Sequence, residues 1–138
     1  MTEVSTTGTS PIDVGVALPS FDPATIPSWA RGVEDADFST LMVSDRLAWP
    51  PLAARAVAAV VTDRVRLLTS VLLAPLRTNP ALFAAEAATV DAVSGPGRLR
   101  LGLAPGVRPT DYASSGLDFA RRGPLFGHRL DEPVVWTA

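Results

Sequence analysis

Residues 66–83 read RLLTSVLLAPLRTNPALF and combine a strand, a turn and the start of a helix in one short stretch. The apolar first half predicts a buried strand. Asn79 followed by Pro80 predicts a helix N-terminus, because asparagine caps helices and proline is tolerated in the first turn. Thr69 and Ser70 interrupt the apolar run. An ordinary buried strand would bond these two hydroxyls to backbone groups.

The same order of strand and helix repeats along the chain. Strand starts lie roughly 26 to 34 residues apart, which is the size of a βα unit, so the repeat predicts an α/β fold with a parallel sheet. The strands are almost continuously apolar, as in sheets that helices cover on both faces. No G-x-G-x-x-G follows the first strand, so the Rossmann fingerprint is missing, but the pattern alone fits a doubly wound sheet or a barrel. The predicted strands are 13–19, 39–45, 65–73 and 98–106, and the predicted helices are 26–36, 52–61 and 81–93.

Composition limits the size and the partners of the fold. A chain of 138 residues with 47% hydrophobic residues has the material for one folded domain. We predict a flexible N-terminal tail over residues 1–12 and a single domain over residues 13–138. A formal net charge of -2 gives no basic surface for nucleic acid or an anionic membrane. The N-terminus has no apolar leader and no stretch is apolar enough to span a membrane, which predicts a cytoplasmic location.

Missing residue types exclude several chemistries. Cysteine and lysine are both absent, which excludes thiolate nucleophiles, thiolate metal sites and Schiff-base chemistry. His128 has no second histidine to complete a metal site, so we predict no metal and interpret it as a surface residue. It lies in residues 107–138, which are rich in glycine and proline and are predicted to be irregular. Arg121 and Arg122 in this segment either hold an anion or, as we expect, pair with nearby acidic residues, namely Asp118, Asp131 or Glu132.

Four segments in their order along the chain resemble one enzyme family. Residues 71–106, VLLAPLRTNPALFAAEAATVDAVSGPGRLRLGLAPG, are similar to the third strand, third helix and fourth strand of the luciferase-like flavin- and coenzyme F420-dependent oxidoreductases, which are TIM barrels. The other matching segments are VGVALPSF at 14–21, STLMVSDR at 39–46, and SSGLDFARRG at 114–123 with RLDE at 129–132. Such barrels have eight strands, so the resemblance implies a half barrel. We expect completion by dimerisation, either with a second copy or with a partner that supplies the other half.

The resemblance also implies a cofactor site. Many members of the family have a non-proline cis peptide in the third strand that supports the flavin or deazaflavin ring, and the matching pair here is Ser70–Val71. Gly106 lies at the end of the fourth strand, where a ring would approach closely, although turn geometry explains a glycine equally well. Arg77 follows the third strand and is either a phosphate ligand or a solvated arginine near a helix start.

Candidate catalytic residues follow the second strand. Asp45 and Arg46 lie at the carboxyl end, which is the active face of parallel barrels. Asp45 has an alternative interpretation as a cap of the next turn or an ion-pair partner of Arg46. Deazaflavin enzymes of the family have histidine where Arg46 stands, and arginine does not shuttle protons near neutral pH. Val107 stands where the sugar-phosphate dehydrogenases of the family have glutamate.

Tryptophans complete the set of candidates. Trp49 follows the second strand on the active face, so we expect it to stack on a substrate or ring. Trp29 and Trp136 are expected to be core or interface anchors.

The resemblance implies an oxidoreductase or monooxygenase that uses reduced FMN or F420 on a small organic substrate. A flavin reductase is then an expected partner. The alternative function is a non-catalytic accessory subunit or pseudoenzyme of the same family, which binds a ligand or partner without turnover. Arg46 and Val107 favour that alternative, whereas the retained Ser70–Val71 pair favours the enzyme.

Overall fold

A computed structural model describes residues 13–18, 22–45 and 51–131 of the chain. They form four strands and five α-helices, with short 3-10 turns before α1, after β3 and before α5. The strands are β1 (Gly15–Leu18), β2 (Thr40–Val43), β3 (Arg66–Leu73) and β4 (Leu99–Ala104). The helices are α1 (Ile26–Asp35), α2 (Pro51–Ala59), α3 (Pro80–Ser94), α4 (Pro109–Ser114) and α5 (Arg122–Asp131). None of the helices within these ranges is long and apolar enough to cross a membrane.

The sheet is parallel throughout and its order is β1-β2-β3-β4. Strands therefore lie side by side in chain order, as in a βα barrel, whereas a doubly wound sheet reverses its order at a switch point. The predicted parallel α/β fold is confirmed, and the order favours the barrel over the doubly wound sheet. Because all four strands are parallel, their carboxyl ends meet at one edge of the sheet.

Two apolar clusters cover the helix-facing side of the sheet. The first joins β1, β2 and the start of β3 to α1 and α2, with Ala30, Leu41 and Leu67 nearly inaccessible to water. The second joins α2 and the end of β3 to α3, around Leu72 and Ala87. Burial of these side chains stabilises the sheet through the hydrophobic effect.

The hydroxyl of Thr69 lies where the β3–β4 pairing shifts register, between Thr69 and Leu72. Its Oγ1 donates to Gly102 O over 2.8 Å and accepts from Gly102 N over 2.7 Å. A Cβ on Gly102 would lie 2.4 Å from Thr69 O, so glycine permits this close approach. Thr69 thus bonds to backbone groups, as the ordinary-strand interpretation predicts, and replaces ladder bonds that the shift removes.

Side chains also connect the opposite, amino-terminal edge of the sheet. Glu34 on α1 accepts from the backbone N–H groups of residues 63, 64 and 65 over 2.7–3.2 Å. Arg98 donates to carbonyl oxygens of Thr62, Val65 and Ser94. These bonds hold the α2–β3 turn to α1 and to the start of β4.

Residues 107–131 differ from the prediction of irregular structure, which was wrong for this part. Pro109 begins α4, and a 3-10 turn capped by Asp118 Oδ1 leads into α5. Helix α4 has only six residues, and α5 contains two glycines and no buried residue, so neither gives a clear apolar stripe in the sequence. His128 is exposed, as predicted, but lies on α5 and not in a loop.

Two side-chain predictions also need correction. Trp29 is 52% exposed and is not a core anchor, since the buried side of α1 consists of Ile26, Ala30 and Val33. Its alternative role at an interface stays a prediction. Arg122 has no ion pair within the described residues. Its Nη1 donates to Phe119 O over 3.2 Å and its guanidinium lies 4.3 Å from the centre of the Phe119 ring. Trp136, Glu132 and the tail 1–12 lie outside the described residues.

Candidate functional site

A cavity of about 260 Å³ opens at the carboxyl ends of β2, β3 and β4. Its lining is mostly small or apolar, with charged groups contributed by Asp45, Arg108 and Asp111. The full set of lining residues is Ser44, Asp45, Ser70, Val71, Leu73, Ala104, Pro105, Gly106, Val107, Arg108 and Asp111. Four predicted site residues, Asp45, Ser70, Val71 and Gly106, therefore come together at one cavity.

Asp45 is 8% exposed and connects the ends of β2 and β3. Its Oδ2 accepts from Leu73 N over 2.9 Å and from Arg77 Nη2 over 2.7 Å. Its own backbone N–H donates to Val71 O over 3.1 Å. The carboxylate therefore forms an ion pair with Arg77, which lies 32 residues further along the chain. This geometry fixes the backbone on both sides of the cavity floor.

The peptide bond between Ser70 and Val71 is cis, as the resemblance predicts. Ser44 Oγ donates to Ser70 O over 2.9 Å, which holds the end of β2 beside this segment. Val71 is 39% exposed and lies on the cavity wall. The pair thus presents a backbone and a small apolar side chain to the cavity. Its role in holding a ring stays a prediction.

The loop after β4 forms the opposite wall. Gly106 has φ +83°, a left-handed conformation that favours glycine, and an added Cβ would lie 2.9 Å from Leu73 Cδ2. The fully buried Tyr112 on α4 donates its hydroxyl to Pro105 O, and its ring packs edge-on against Phe119 at 5.4 Å between centroids. Burial raises the pKa of Tyr112, so the hydroxyl stays protonated as a donor. Helix α4 therefore stabilises this wall through the bond from Tyr112 to Pro105.

The remaining predicted site residues lie elsewhere or outside the described ranges. Arg77 does not line the cavity but forms an ion pair with Asp45, which does. Helix α5 supports the same turn, because Arg129 Nη2 donates to Thr78 O over 3.2 Å. Arg46 and Trp49 lie outside the described residues. Val107 lies on the cavity edge and is largely exposed.

Sequence reasoning missed Arg55 on α2, which is 1% exposed. Its Nη2 donates to Val43 O over 2.7 Å and also to Leu68 O. Burial lowers the pKa of Arg55 to about 9, and the charge of Asp45 opposes this change. The available signal was a single charge among alanines and valines in LAARAVAAV, residues 52–60, which places an arginine on a helix with no polar face. Arg108, Asp111 and Tyr112 were also missed, since they fall in the segment predicted to be irregular.

The cavity fits part of a planar cofactor. Its volume lies just below the range of about 300–1,000 Å³ that encloses whole small ligands. Small side chains and a glycine leave a mostly apolar lining, while Ser44 and Ser70 supply a few polar atoms. This donor set suits a conjugated ring with polar edges. Within the described residues, no three acidic or histidine side chains converge as a metal site would require.

The chain is similar to one protein family and to several solved structures. The family model for luciferase-like monooxygenases matches residues 2–128. No curated protein matches the chain. Among solved structures, the chain is similar to the monooxygenase RslO1 from Streptomyces bottropensis, with 23% identity and a TM-score of 0.72 over 84% of this chain.

Two further structures have the same fold over most of this chain. One is the oxygenating constituent of 3,6-diketocamphane monooxygenase from Pseudomonas putida, in complex with FMN, with 18% identity and a TM-score of 0.76 over 86% of this chain. The other is the coenzyme F420-dependent tetrahydromethanopterin reductase from Methanopyrus kandleri, with 27% identity and a TM-score of 0.67 over 78% of this chain. The chain spans 39%, 37% and 31% of the length of the three structures, so it corresponds to part of a TIM barrel.

Proposed function

The chain belongs to the luciferase-like monooxygenase family, and on that premise we propose that it binds the ring of reduced FMN or of coenzyme F420 for oxidation or reduction of a small organic substrate. The observation that carries the proposal is the convergence of Ser70, Val71 and Gly106 on one cavity at the carboxyl ends of the strands. These are the residues to which the resemblance assigns ring binding. The same edge of the sheet carries the active sites of parallel barrels.

In this proposal the protein binds and orients while the bound ring supplies the redox chemistry. Val71 and Gly106 provide the apolar walls, and the backbone around Ser70 provides polar contacts at the edge of the ring. Asp45 holds the floor together through Leu73 and Arg77, which makes it a positioning residue. A direct catalytic contribution of Asp45 or Arg46 stays a prediction.

We also propose that a second half barrel completes the site, with a second copy of the chain as the simplest source. Supporting this, β1 and β4 are the outer strands of the described sheet, and Leu101 on β4 is 37% exposed. Unpaired strand edges and exposed apolar strand residues favour association. A flavin reductase is the proposed source of reduced FMN. A cytoplasmic location stays a prediction.

The test is a titration of the purified protein with oxidised and reduced FMN and with F420, followed by cofactor fluorescence, with the mass measured by light scattering on the same sample. We expect micromolar binding of at least one cofactor to a dimer. Absence of binding at millimolar cofactor would contradict the proposal and favour the non-catalytic alternative. Binding to a monomer would contradict only the proposed assembly.

Substitution of Val71 tests the position of the ring. We expect Val71→Trp to fill the cavity and to weaken cofactor binding at least tenfold. The matched control is Val93→Trp, since Val93 is also half-exposed but lies on α3, away from the cavity. Equal binding to both variants would show that the ring lies elsewhere.

A further inference from the structure

The two apolar clusters pack against only one face of the sheet. Successive strand residues point to opposite faces, and the clusters use the face that carries Leu41, Leu67 and Leu99. The alternate positions lie on the other face, which we call the inner face. One row of paired residues crosses the inner face from β1 to β4 and consists of Ala17, Met42, Leu68 and Arg100.

Arg100 places a positive charge at the β4 end of this row. It is exposed, and its side chain makes no hydrogen bond or ion pair with any residue that the structure describes. In a closed barrel the inner face becomes the interior, which is filled by packed side chains. Because burial of an unpaired charge is strongly unfavourable, closure of the barrel requires a negatively charged acceptor for Arg100.

Asp13 places the opposite charge on the inner face at the other end of the sheet. It precedes Gly15 on β1 by two positions, and its Oδ2 lies 2.6 Å from Nη2 of Arg66, the neighbour of the buried Leu67. The side chain of Asp13 is 63% exposed, so its carboxylate has room for a second guanidinium. Three strand spacings of about 4.8 Å separate β1 from β4, which puts Asp13 out of reach of Arg100 in the same chain.

An eight-stranded barrel built from two copies brings these two edges together. A two-fold axis along the barrel keeps all strands parallel and sets β4 of each copy beside β1 of the other. The shear of such a barrel is about eight residues per full turn, and thus about four per copy. Because barrel strands coil in a right-handed sense, a row that runs from β1 to β4 continues about four residues nearer the amino end of the next β1. The row from Ala17 to Arg100 therefore continues at Asp13 of the second copy.

We propose that two copies of the chain close one barrel, with Arg100 of each copy bound to Asp13 of the other. The two contacts are equivalent under the two-fold axis, so each copy supplies one cation and one carboxylate at opposite edges of its sheet. The Asp13 carboxylate then accepts from Arg66 of its own chain and from Arg100 of the second copy. This inference rests on the assembly in the proposed function and names the charged contact that selects a second copy over an unrelated half barrel.

Charge reversal tests the contact, with the Kd of the dimer measured by sedimentation equilibrium. Arg100→Glu sets a carboxylate against Asp13, and Asp13→Arg sets a guanidinium against Arg100, so a dimer of either variant contains two like-charge contacts. We expect each variant alone to raise the Kd at least tenfold. An equimolar mixture of the two variants forms two complementary contacts, and its Kd should lie within about threefold of the wild-type value.

Two controls separate the contact from general effects of charge and folding. Arg31→Glu makes the same change of charge at an exposed position of α1, away from the inner face, and should leave the Kd within about twofold of the wild type. Where a single variant does not fold alone, joint refolding of both variants from urea should restore the far-UV circular dichroism of the wild type. Single variants that dimerise like the wild type, or a mixture no better than its components, would overturn the inference.

The outcomes also distinguish this inference from the proposed binding of a cofactor ring. A wild-type monomer that binds FMN or F420 would overturn the inference and leave ring binding standing. A wild-type dimer that shows the expected response to charge reversal but binds neither cofactor would overturn ring binding and leave the inference standing.

Discussion

Arg77 Nη2 lies 2.7 Å from Asp45 Oδ2, and this contact joins the turn after β3 to the end of β2. The two residues are 32 positions apart, and the carboxylate side chain is 4% exposed. Since the same oxygen also accepts from Leu73 N, removal of its charge weakens two bonds at once.

We expect Asp45→Asn to lower the free energy of unfolding by about 1–3 kcal/mol, because it leaves Arg77 partly buried without its ion pair. Urea unfolding at pH 7 measures the change. The matched control is Asp37→Asn, which breaks the exposed Arg64–Asp37 pair and should cost less than about 0.5 kcal/mol. Equal costs would contradict a special role for the buried pair.

Thr69 provides a second test of the site's support. We expect Thr69→Val to lower the free energy of unfolding by about 1–3 kcal/mol, because Gly102 N and Gly102 O lose their partner in a partly buried place. Thr89→Val is the control, since the Thr89 hydroxyl bonds within an exposed turn of α3. A cost below that of the control would show that the register shift does not depend on the Thr69 hydroxyl.

Gly106 tests the wall formed by the loop after β4. Alanine at a left-handed position costs about 1–2 kcal/mol, and Gly106→Ala adds the 2.9 Å contact with Leu73 Cδ2. Gly97→Ala has a similar φ of +75° but nothing within 4 Å of its Cβ. We expect both variants to lose stability in urea unfolding and only Gly106→Ala to weaken FMN binding. Weaker binding in both would assign the effect to general instability.

Glu34 gives the chain a predictable response to acid. Partial burial raises its pKa, but the N–H groups of residues 63, 65 and 64 and the charge of Arg64 lower it more, so the net pKa lies below the ordinary value of 4.5. The folded state therefore gains stability from this carboxylate above about pH 4.5 and loses it as the pH falls below that value.

We expect Glu34→Gln to cost about 1 kcal/mol at pH 7, a small value because water screens a partly buried group. The difference from the wild type should shrink in urea unfolding at pH 3. Glu86→Gln, on the exposed side of α3, should cost little at either pH. A difference for Glu34→Gln that persists at pH 3 would contradict the assignment.

Local sequence patterns predicted the elements that have strong local signals. Asn79 caps α3 through its side chain as expected, with Leu82 N donating to Asn79 Oδ1 over 3.0 Å. The apolar strands and the helices between them lie within a few residues of their predicted bounds. Local capping and periodicity act over a few residues, so they are visible in one sequence.

Contacts between distant residues were not predictable in the same way. The sequence offered Arg46 as one possible partner of Asp45, and Arg46 lies outside the described residues. It gave no sign of the pair with Arg77, which forms because the ends of parallel strands bring remote turns together. Arg55 gave only the signal of an isolated charge on an apolar helix. Its partners are backbone carbonyls, which have no sequence signature. The resemblance supplied what local patterns could not, namely the cis peptide at Ser70–Val71.

The two apolar clusters described above share α2 and β3. Local opening of α1 disrupts only the first cluster, and local opening of α3 disrupts only the second. In either case α2 and β3 stay packed in the other cluster. Backbone amides of α2 and β3 should then exchange with deuterium last, through global unfolding only. The floor of the cavity is therefore expected to lie on the part of the domain that opens least often. The wall formed by α4 and its loop belongs to neither cluster and depends instead on the buried Tyr112, so we expect its amides to exchange earlier.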